Sequence, residues 1–279
     1  MKNLMIAFVL LCTLGTMNSV LAQDTNKREI TNVAGDLYRF QNNFHFSVFL
    51  VTEEGVLVTD PVNSEAAIWL RDEIKSRFNK PIKYLVYSHH HADHVSGGEV
   101  FKQAGATVIA HENALWALES DSVPTAMPDL TFKENMTLYL GGRTVELHYL
   151  GRNHSDNSIV VLFPDEQALF AVDFVNVRRL PYRDIGRSFF PDYFDSYERL
   201  AALEFTTVIP GHGPIGSKQE ALDHGQYLGE LHDQVKAGKA AGHSVDELKA
   251  SIKMENYKNW SQYDEWLGLN IEGMYGYLE

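Results

Sequence analysis

The chain has 279 residues, of which 24 are Lys or Arg and 37 are Asp or Glu, giving a formal net charge of −13. Apolar residues make up 44% and charged residues 22%, the balance of an ordinary globular protein, which excludes a disordered or low-complexity chain. So acidic a chain is a poor general binder of nucleic-acid backbones, which want clustered Lys and Arg, and no nucleic-acid partner is expected. Its single cysteine, Cys12, excludes an internal disulfide framework and any zinc site built from several thiolates.

Residues 1–22 read MKNLMIAFVLLCTLGTMNSVLA. Lys2 leads, an apolar run follows from about Leu4 to Leu14, and small and polar residues end in Val20, Leu21 and Ala22. That order predicts a secretory signal peptide cleaved after Ala22. The apolar run falls short of the roughly 20 residues that span a bilayer, so a membrane anchor is the weaker reading. Leu11 before Cys12 stands where a lipoprotein would carry a small residue. The expected product is a periplasmic or secreted chain of residues 23–279, with no cysteine, no membrane segment and a charge one unit more negative.

From Gly35 to Asp60, the runs LYRF, FHFSVFLVT and VLVTD are separated by QNN and EEG and read as strands. Ala67, Ile68, Leu70, Ile74 and Phe78 keep a helical period from Ser64 onward. A strand over Ile82–Tyr87 ends at a histidine cluster. A helix through Glu99–Ala104, the strand ATVIA and a helix through Leu115–Leu118 come next. Leu138 to Leu150 is β-rich with a hairpin turn at Gly141-Gly142, and PDEQ joins SIVVLF to ALFAV in a second hairpin. Asp173 to Asp195, rich in arginine and aromatics, reads as a long loop. The helix SYERLAALE, the strand TTVIP and the turn GHGP follow, and the chain is mostly helical from about Lys218. With no repeat and no linker, this is one α/β domain with a helical C-terminal extension.

The histidine cluster reads HHHADH over residues 89–94. His89 and His91 are two apart and project to one side of an extended segment, with Asp93 and His94 one short step further. Histidine and carboxylate are the ligands zinc takes when thiolates are absent. His154 in GRNHSDNS, Asp173 in LFAVDF and His212 in VIPGHG are further ligand types at strand-to-loop junctions, where an α/β scaffold holds functional groups rigidly.

At these residues the sequence resembles the metallo-β-lactamase superfamily. The match is HxHxDH at His89, His91, Asp93 and His94, then His154, Asp173 and His212 in order, spanning about Leu37 to Gly216. The resemblance implies an α/β fold, a four-layered αββα sandwich with metals at one edge. His89, His91 and His154 would hold one metal, Asp93, His94 and His212 the second, and Asp173 would bridge them. Asp60 in VLVTDP would support the metal loop, with His90 and Ala92 as spacers. Two zinc ions per chain are expected, although manganese or iron suits the same donors. A metal-bound hydroxide would attack the carbonyl of a small ester, lactone, thioester or β-lactam, with Asp93 orienting it and passing a proton. Asp173 stands where β-lactamases of this superfamily usually carry Cys or Ser, and a bridging carboxylate looks more like glyoxalase II and the lactonases. Two other readings are a mononuclear iron enzyme resembling the persulfide dioxygenases, and a binding protein that holds metal without turnover.

Other residues carry plainer expectations. His45 in NNFHFS reads as a surface-loop histidine ahead of a substrate contact, His111 as structural, and His148, His224, His232 and His243 as surface or helix residues. Arg178, Arg179, Tyr182, Arg183, Phe189, Phe190 and Tyr193 form either a lid that meets an anionic substrate or a surface loop packed on its own aromatics. Trp260 and Trp266 read as core contacts. The oligomeric state is left open.

Overall fold

Short apolar runs with a two-residue period build two sheets in the computed structural model, which describes residues 26–278. The expected signal peptide lies outside the described residues. The first sheet has seven strands in sequence order. β1 (Arg28–Ala34), β2 (Leu37–Asn42), β3 (His45–Val51) and β4 (Val56–Thr59) are antiparallel neighbours. β5 (Ile82–Val86), β6 (Thr107–His111) and β7 (Leu130–Phe132) extend the sheet in parallel. In the second sheet, β8 (Asn135–Leu140), β9 (Arg143–His148), β10 (Val160–Phe163) and β11 (Ala168–Val172) form an antiparallel meander. β12 (Thr207–Pro210) joins β11 in parallel, and β13 (Gly216–Ser217) closes that edge.

Alternation along each strand sorts side chains into three apolar layers. Leu50, Leu57 and Val86 of the first sheet meet Leu147, Val161, Phe170 and Ile209 of the second. Phe49, Val58 and Leu85 point the other way, onto Ala67, Leu70 and Ile74 of helix α1 (Ser64–Phe78). Short helices α2 (Ala92–Val95), α3 (Glu99–Gln103) and α4 (Glu112–Ser120) follow on that side. On the far side of the second sheet, Leu162, Leu169 and Val208 pack with Tyr227, Leu231, Ile271 and Met274. These come from α6 (Lys218–Ala240) and α8 (Tyr263–Tyr277), with α5 (Asp192–Ala202) and α7 (Val245–Ser251) completing the layer. The order helices, sheet, sheet, helices is the αββα sandwich. Each fully buried Leu, Ile or Val favours it by about 1.5–3 kcal/mol.

Several expectations are corrected. β1 went unread because REITNVA is polar and half-exposed. Ile68 is exposed, since the buried stripe of α1 runs through Ala67, Leu70 and Ile74. The helices after Lys218, the expected C-terminal extension, form the outer layer of the second sheet. The segment after Asp173 is no open lid: Phe174, Val175, Leu180, Phe190 and Tyr193 are buried in the helix-side core, and α5 already starts at Asp192. Trp266 packs in that core as expected.

His224, on α6, is fully buried rather than on the surface. One consistent direction of hydrogen bonding runs through it. Arg179 Nη1 donates to Asn176 Oδ1 (3.1 Å), and Asn176 Nδ2 donates to His224 Nε2 (3.4 Å). His224 Nδ1–H then donates to Tyr197 Oη, whose own O–H donates to the Phe174 carbonyl (3.2 Å). The chain needs a neutral ring. Burial, reinforced by the Arg179 charge, lowers the His224 pKa to about 3, against about 6.5 for a free imidazole. The unfolded chain therefore binds a proton in that window that the folded chain refuses. The resulting stability is complete above about pH 6.5 and is lost as the pH falls toward 3. In urea unfolding of the metal-free protein, stability should fall more steeply from about pH 7 to about pH 5 in the parent than in His224→Gln. Parallel pH profiles would contradict this.

Candidate metal centre

β4 and β5 are parallel, as are β11 and β12. Asp60, the loop of residues 88–91, Asp173 and His212 therefore all leave the C-terminal ends of parallel strands, where α/β sheets present functional groups. His154 enters from the connection between β9 and β10. The Ile159 N–H, donating to the Ser88 carbonyl at 2.8 Å, ties that connection to the first sheet.

Asp60 organises the first loop. It is fully buried, and its carboxylate accepts from Ser88 N–H (2.8 Å) and Ser88 Oγ–H (2.6 Å). Having donated its proton, Ser88 Oγ accepts from His89 Nδ1–H at 3.0 Å. This tautomer leaves His89 Nε2 without a proton. The same logic holds at His212, whose Nδ1–H donates to the Phe44 carbonyl at 2.9 Å and leaves Nε2 bare. His94 turns Nδ1 toward Asp60 Oδ2 at 3.6 Å and Nε2 toward His212.

Two groups of ligand atoms result: His89, His91, His154 and Asp173, and Asp93, His94, His212 and Asp173. Within each, all atoms lie within 4.8 Å of one another. Ligands about 2.0–2.1 Å from a tetrahedral ion stand roughly 3.3–3.4 Å apart. In the first group, His154 Nε2 is 3.0 Å from His91 Nδ1 and 3.6 Å from Asp173 Oδ2, which is 4.0 Å from His89 Nε2. In the second, His94 Nε2 is 3.3 Å from both His212 Nε2 and Asp173 Oδ1, and 3.8 Å from Asp93 Oδ2. Asp173 thus divides its oxygens, Oδ2 to the first group and Oδ1 to the second. Among the described residues, His89 Nε2 and Asp173 Oδ1 are buried with no hydrogen-bond partner. Buried polar atoms are normally partnered, so one orphaned ligand atom in each group fits bound cations.

The electrostatics agree. Burial drives His89 well below the ordinary imidazole value and lowers His154. Burial, with the neighbouring His154, takes His91 down to about 4. These rings stay neutral, as metal ligands must. Burial opposes ionisation of Asp173, but the neighbouring charge of His94 holds it well below the usual carboxylate range. Burial also opposes a charge on His94, yet Asp173 and Asp60 on either side raise it. Cation binding there is thereby coupled to loss of the His94 proton.

The backbone is strained where it delivers these groups. Asp60 has φ 29° and Val172, just before Asp173, has φ 30°, a region that costs non-glycine residues of order 1–3 kcal/mol. Gly211, just before His212, is needed for close approach. A Cβ there would stand 2.8 Å from Asp173 Oδ1, His94 Cε1 and Val172 Cγ2.

The residues expected from sequence converge here, and one neighbour was misjudged. His45 opens β3 and places Nε2 3.3 Å from Asp93 Oδ2, so it is no free surface-loop histidine. Only its place in the hairpin before Asp60 hinted at this. His111 is structural as expected, capping α4 and contacting the Lys133 carbonyl at 2.7 Å. Of the loop arginines, Arg178 pairs with Glu220, whereas Arg179 lies over Trp266, with Asp173 among the charges acting on it. Arg39, unread in the sequence, packs on Phe46 and donates to the Gly213 carbonyl beside His212. Burial lowers its pKa to about 10. Among the described residues neither Arg39 nor Arg179 has a carboxylate partner within salt-bridge distance.

Comparison with known proteins follows the same lines. A family model described as the Metallo-beta-lactamase superfamily matches residues 42–212, a span that contains every group described above except Arg39 and the loop-packing residues beyond it. A metallo-beta-lactamase type 2 of Elizabethkingia meningoseptica is 30% identical over 178 residues, 61% of this chain and 70% of that protein. The alpha subunit of a 2,4-dinitroanisole O-demethylase from Nocardioides sp. is 24% identical over 236 residues, 83% of this chain and 69% of that one. Among solved structures, a metallo-beta-lactamase from Pontibacter korlensis has a TM-score of 0.64 at 23% identity, covering 72% of this chain and 99% of its own. The DIM-1 metallo-beta-lactamase has a TM-score of 0.65 at 21% identity, covering 73% and 97%. The chain belongs to the metallo-beta-lactamase superfamily.

Proposed function

We propose that the protein is a metal-dependent hydrolase of small acyl compounds, an ester, lactone, thioester or β-lactam, working with two divalent cations, zinc first among them. The carrying observation is the divided carboxylate of Asp173, with Oδ2 beside His89 and His154 and Oδ1 beside His94 and His212. It supports two sites sharing one ligand, and with it a hydrolase rather than a single-iron oxidative enzyme. When bound, such a pair lowers the pKa of a water toward neutrality and polarises a carbonyl.

The chain's own residues supply the rest. His89, His91 and His154 hold one ion, and Asp93, His94 and His212 the other. Asp93, half-exposed, has its pKa lowered to about 2: burial opposes its charge, but the His45 hydrogen bond and the His94 charge outweigh that. At neutral pH it is an ionised acceptor that can take a proton from the attacking water and return it to the leaving group. Arg179 and Arg39, without carboxylate partners among the described residues, suit a substrate bearing a negative charge. An exported location, a small-molecule substrate and the lack of a nucleic-acid or membrane partner belong to the same reading. Among the described residues no helix is long and apolar enough to cross a membrane.

A panel of chromogenic ester, lactone, thioester and cephalosporin tests this, with 2,4-dinitroanisole added because one relative is named for its demethylation. The zinc-loaded chain should turn over at least one member, lose activity on chelation and regain it with zinc. Asp93→Asn should lower kcat by about 10²–10⁴-fold. Zinc bound with no turnover would favour the non-catalytic reading, and oxygen uptake with one iron the oxidative one. Gly211→Ala keeps every ligand but crowds Asp173 and His94, so zinc affinity by chelator competition should fall about 10- to 100-fold. Unchanged affinity would contradict the geometry.

A further inference from the structure

His45 sits on a hairpin tip that is hydrogen-bonded to the His212 loop. It opens β3 opposite Asn42 of β2, and the turn between them passes through Asn43 at φ 57° and Phe44. Two hydrogen bonds fasten this tip to the His212 loop, one on each side of His45. The Phe44 carbonyl accepts from His212 Nδ1–H at 2.9 Å, and Phe46 N–H donates to the Gly211 carbonyl at 2.8 Å. Between these anchors the His45 side chain is 29% exposed. Its ring stands edge-on to His212 at 4.8 Å and to His94 at 5.8 Å.

Asp93 is the opposite case. It rides on the four-residue helix α2, and its side chain is 52% exposed. Left alone, its carboxylate could rotate out into water. Among the described residues, the side chain positioned to donate a hydrogen bond to it is His45, with Nε2 3.3 Å from Oδ2. That same oxygen faces His94 Nε2 at 3.8 Å and His212 Nε2 at 3.9 Å. A carboxylate oxygen has lone pairs enough for a donor and a cation together, and an N–H bond to an ionised carboxylate is among the stronger hydrogen bonds.

We propose that His45 is a positioning residue for Asp93, its Nε2–H holding Oδ2 against the second ligand group. The proposal rests on the two-ion reading above. Ligand-orienting partners of this kind typically change metal affinity or activity by about 10- to 100-fold.

Two variants of the full chain separate the hydrogen bond from the packing. His45→Phe fills the ring's space without a donor, and His45→Gln keeps an N–H. Zinc is titrated against a chromogenic chelator, kcat and KM are measured on the panel substrate the parent turns over, and the metal-free unfolding temperature of each variant checks the fold. In His45→Phe, affinity at one of the two zinc sites should fall about 10- to 100-fold, with the other unchanged. Its kcat should fall with KM within about twofold, at the parent's metal-free unfolding temperature, and His45→Gln should recover most of both losses. A Phe variant that binds both zincs like the parent, or Phe and Gln variants that lose equally, overturns the role of His45. A parent that binds fewer than two zincs overturns the two-ion reading, and the proposal falls with it.

Discussion

A carboxylate sealed from water is costly unless its oxygens are engaged. Asp60 is such a group, at the end of β4 in a strained backbone conformation. One oxygen takes the Ser88 N–H and the other the Ser88 hydroxyl, and the second also faces His94 Nδ1. The start of the loop after β5 is therefore fixed, the hydroxyl of Ser88 can only accept from His89, and the bare nitrogen of His89 faces the cluster. One buried side chain sets the direction of two rings in different ligand groups, and the rest of the site is built against them.

The second constraint is convergence. The ligands come from both sheets, and it is the apolar layer between the sheets, with Leu57 and Val86 against Val161, Phe170 and Ile209, that brings the strand ends together. The arrangement works against folding without a cation. Among the described residues His89 Nε2 is buried with no hydrogen-bond partner, and Val172 holds a β-branched side chain at positive φ. Stability from three apolar layers is offset at one edge for a preorganised set of donors, the compromise expected where local rules are broken for function. Behind Asp173, the neutral His224 and its hydrogen-bonded neighbours anchor the following segment into the helical layer.

Much of this was legible in the residues. HHHADH directly after a β-rich run, then His154, Asp173 and His212 at strand ends, pointed to a metal centre from local patterns alone. The resemblance those residues carry supplied the αββα order. What stayed hidden depends on contacts between distant parts of the chain. His45 lies in a polar, aromatic turn with no local signal, and only the fastening of that turn to the His212 loop brings it to Asp93. His224 shares its helix with exposed residues, and periodicity on a long amphipathic helix does not show that Tyr197 and Asn176 wait on its buried side. Arg39 sits in a strand that reads as ordinary. The arginine-rich stretch after Asp173 suggested a lid by composition, but Phe174, Leu180 and Phe190 bury themselves under α6 and α8, leaving Arg179 as the cation beside the centre.

If Asp173 joins two cation sites, a count of bound metal shows it. Elemental analysis of the chain beginning at Gln23, and of Asp173→Ala, should find about two zincs in the parent and about one in the variant. One metal in both proteins, above all one iron, would contradict the shared-carboxylate account.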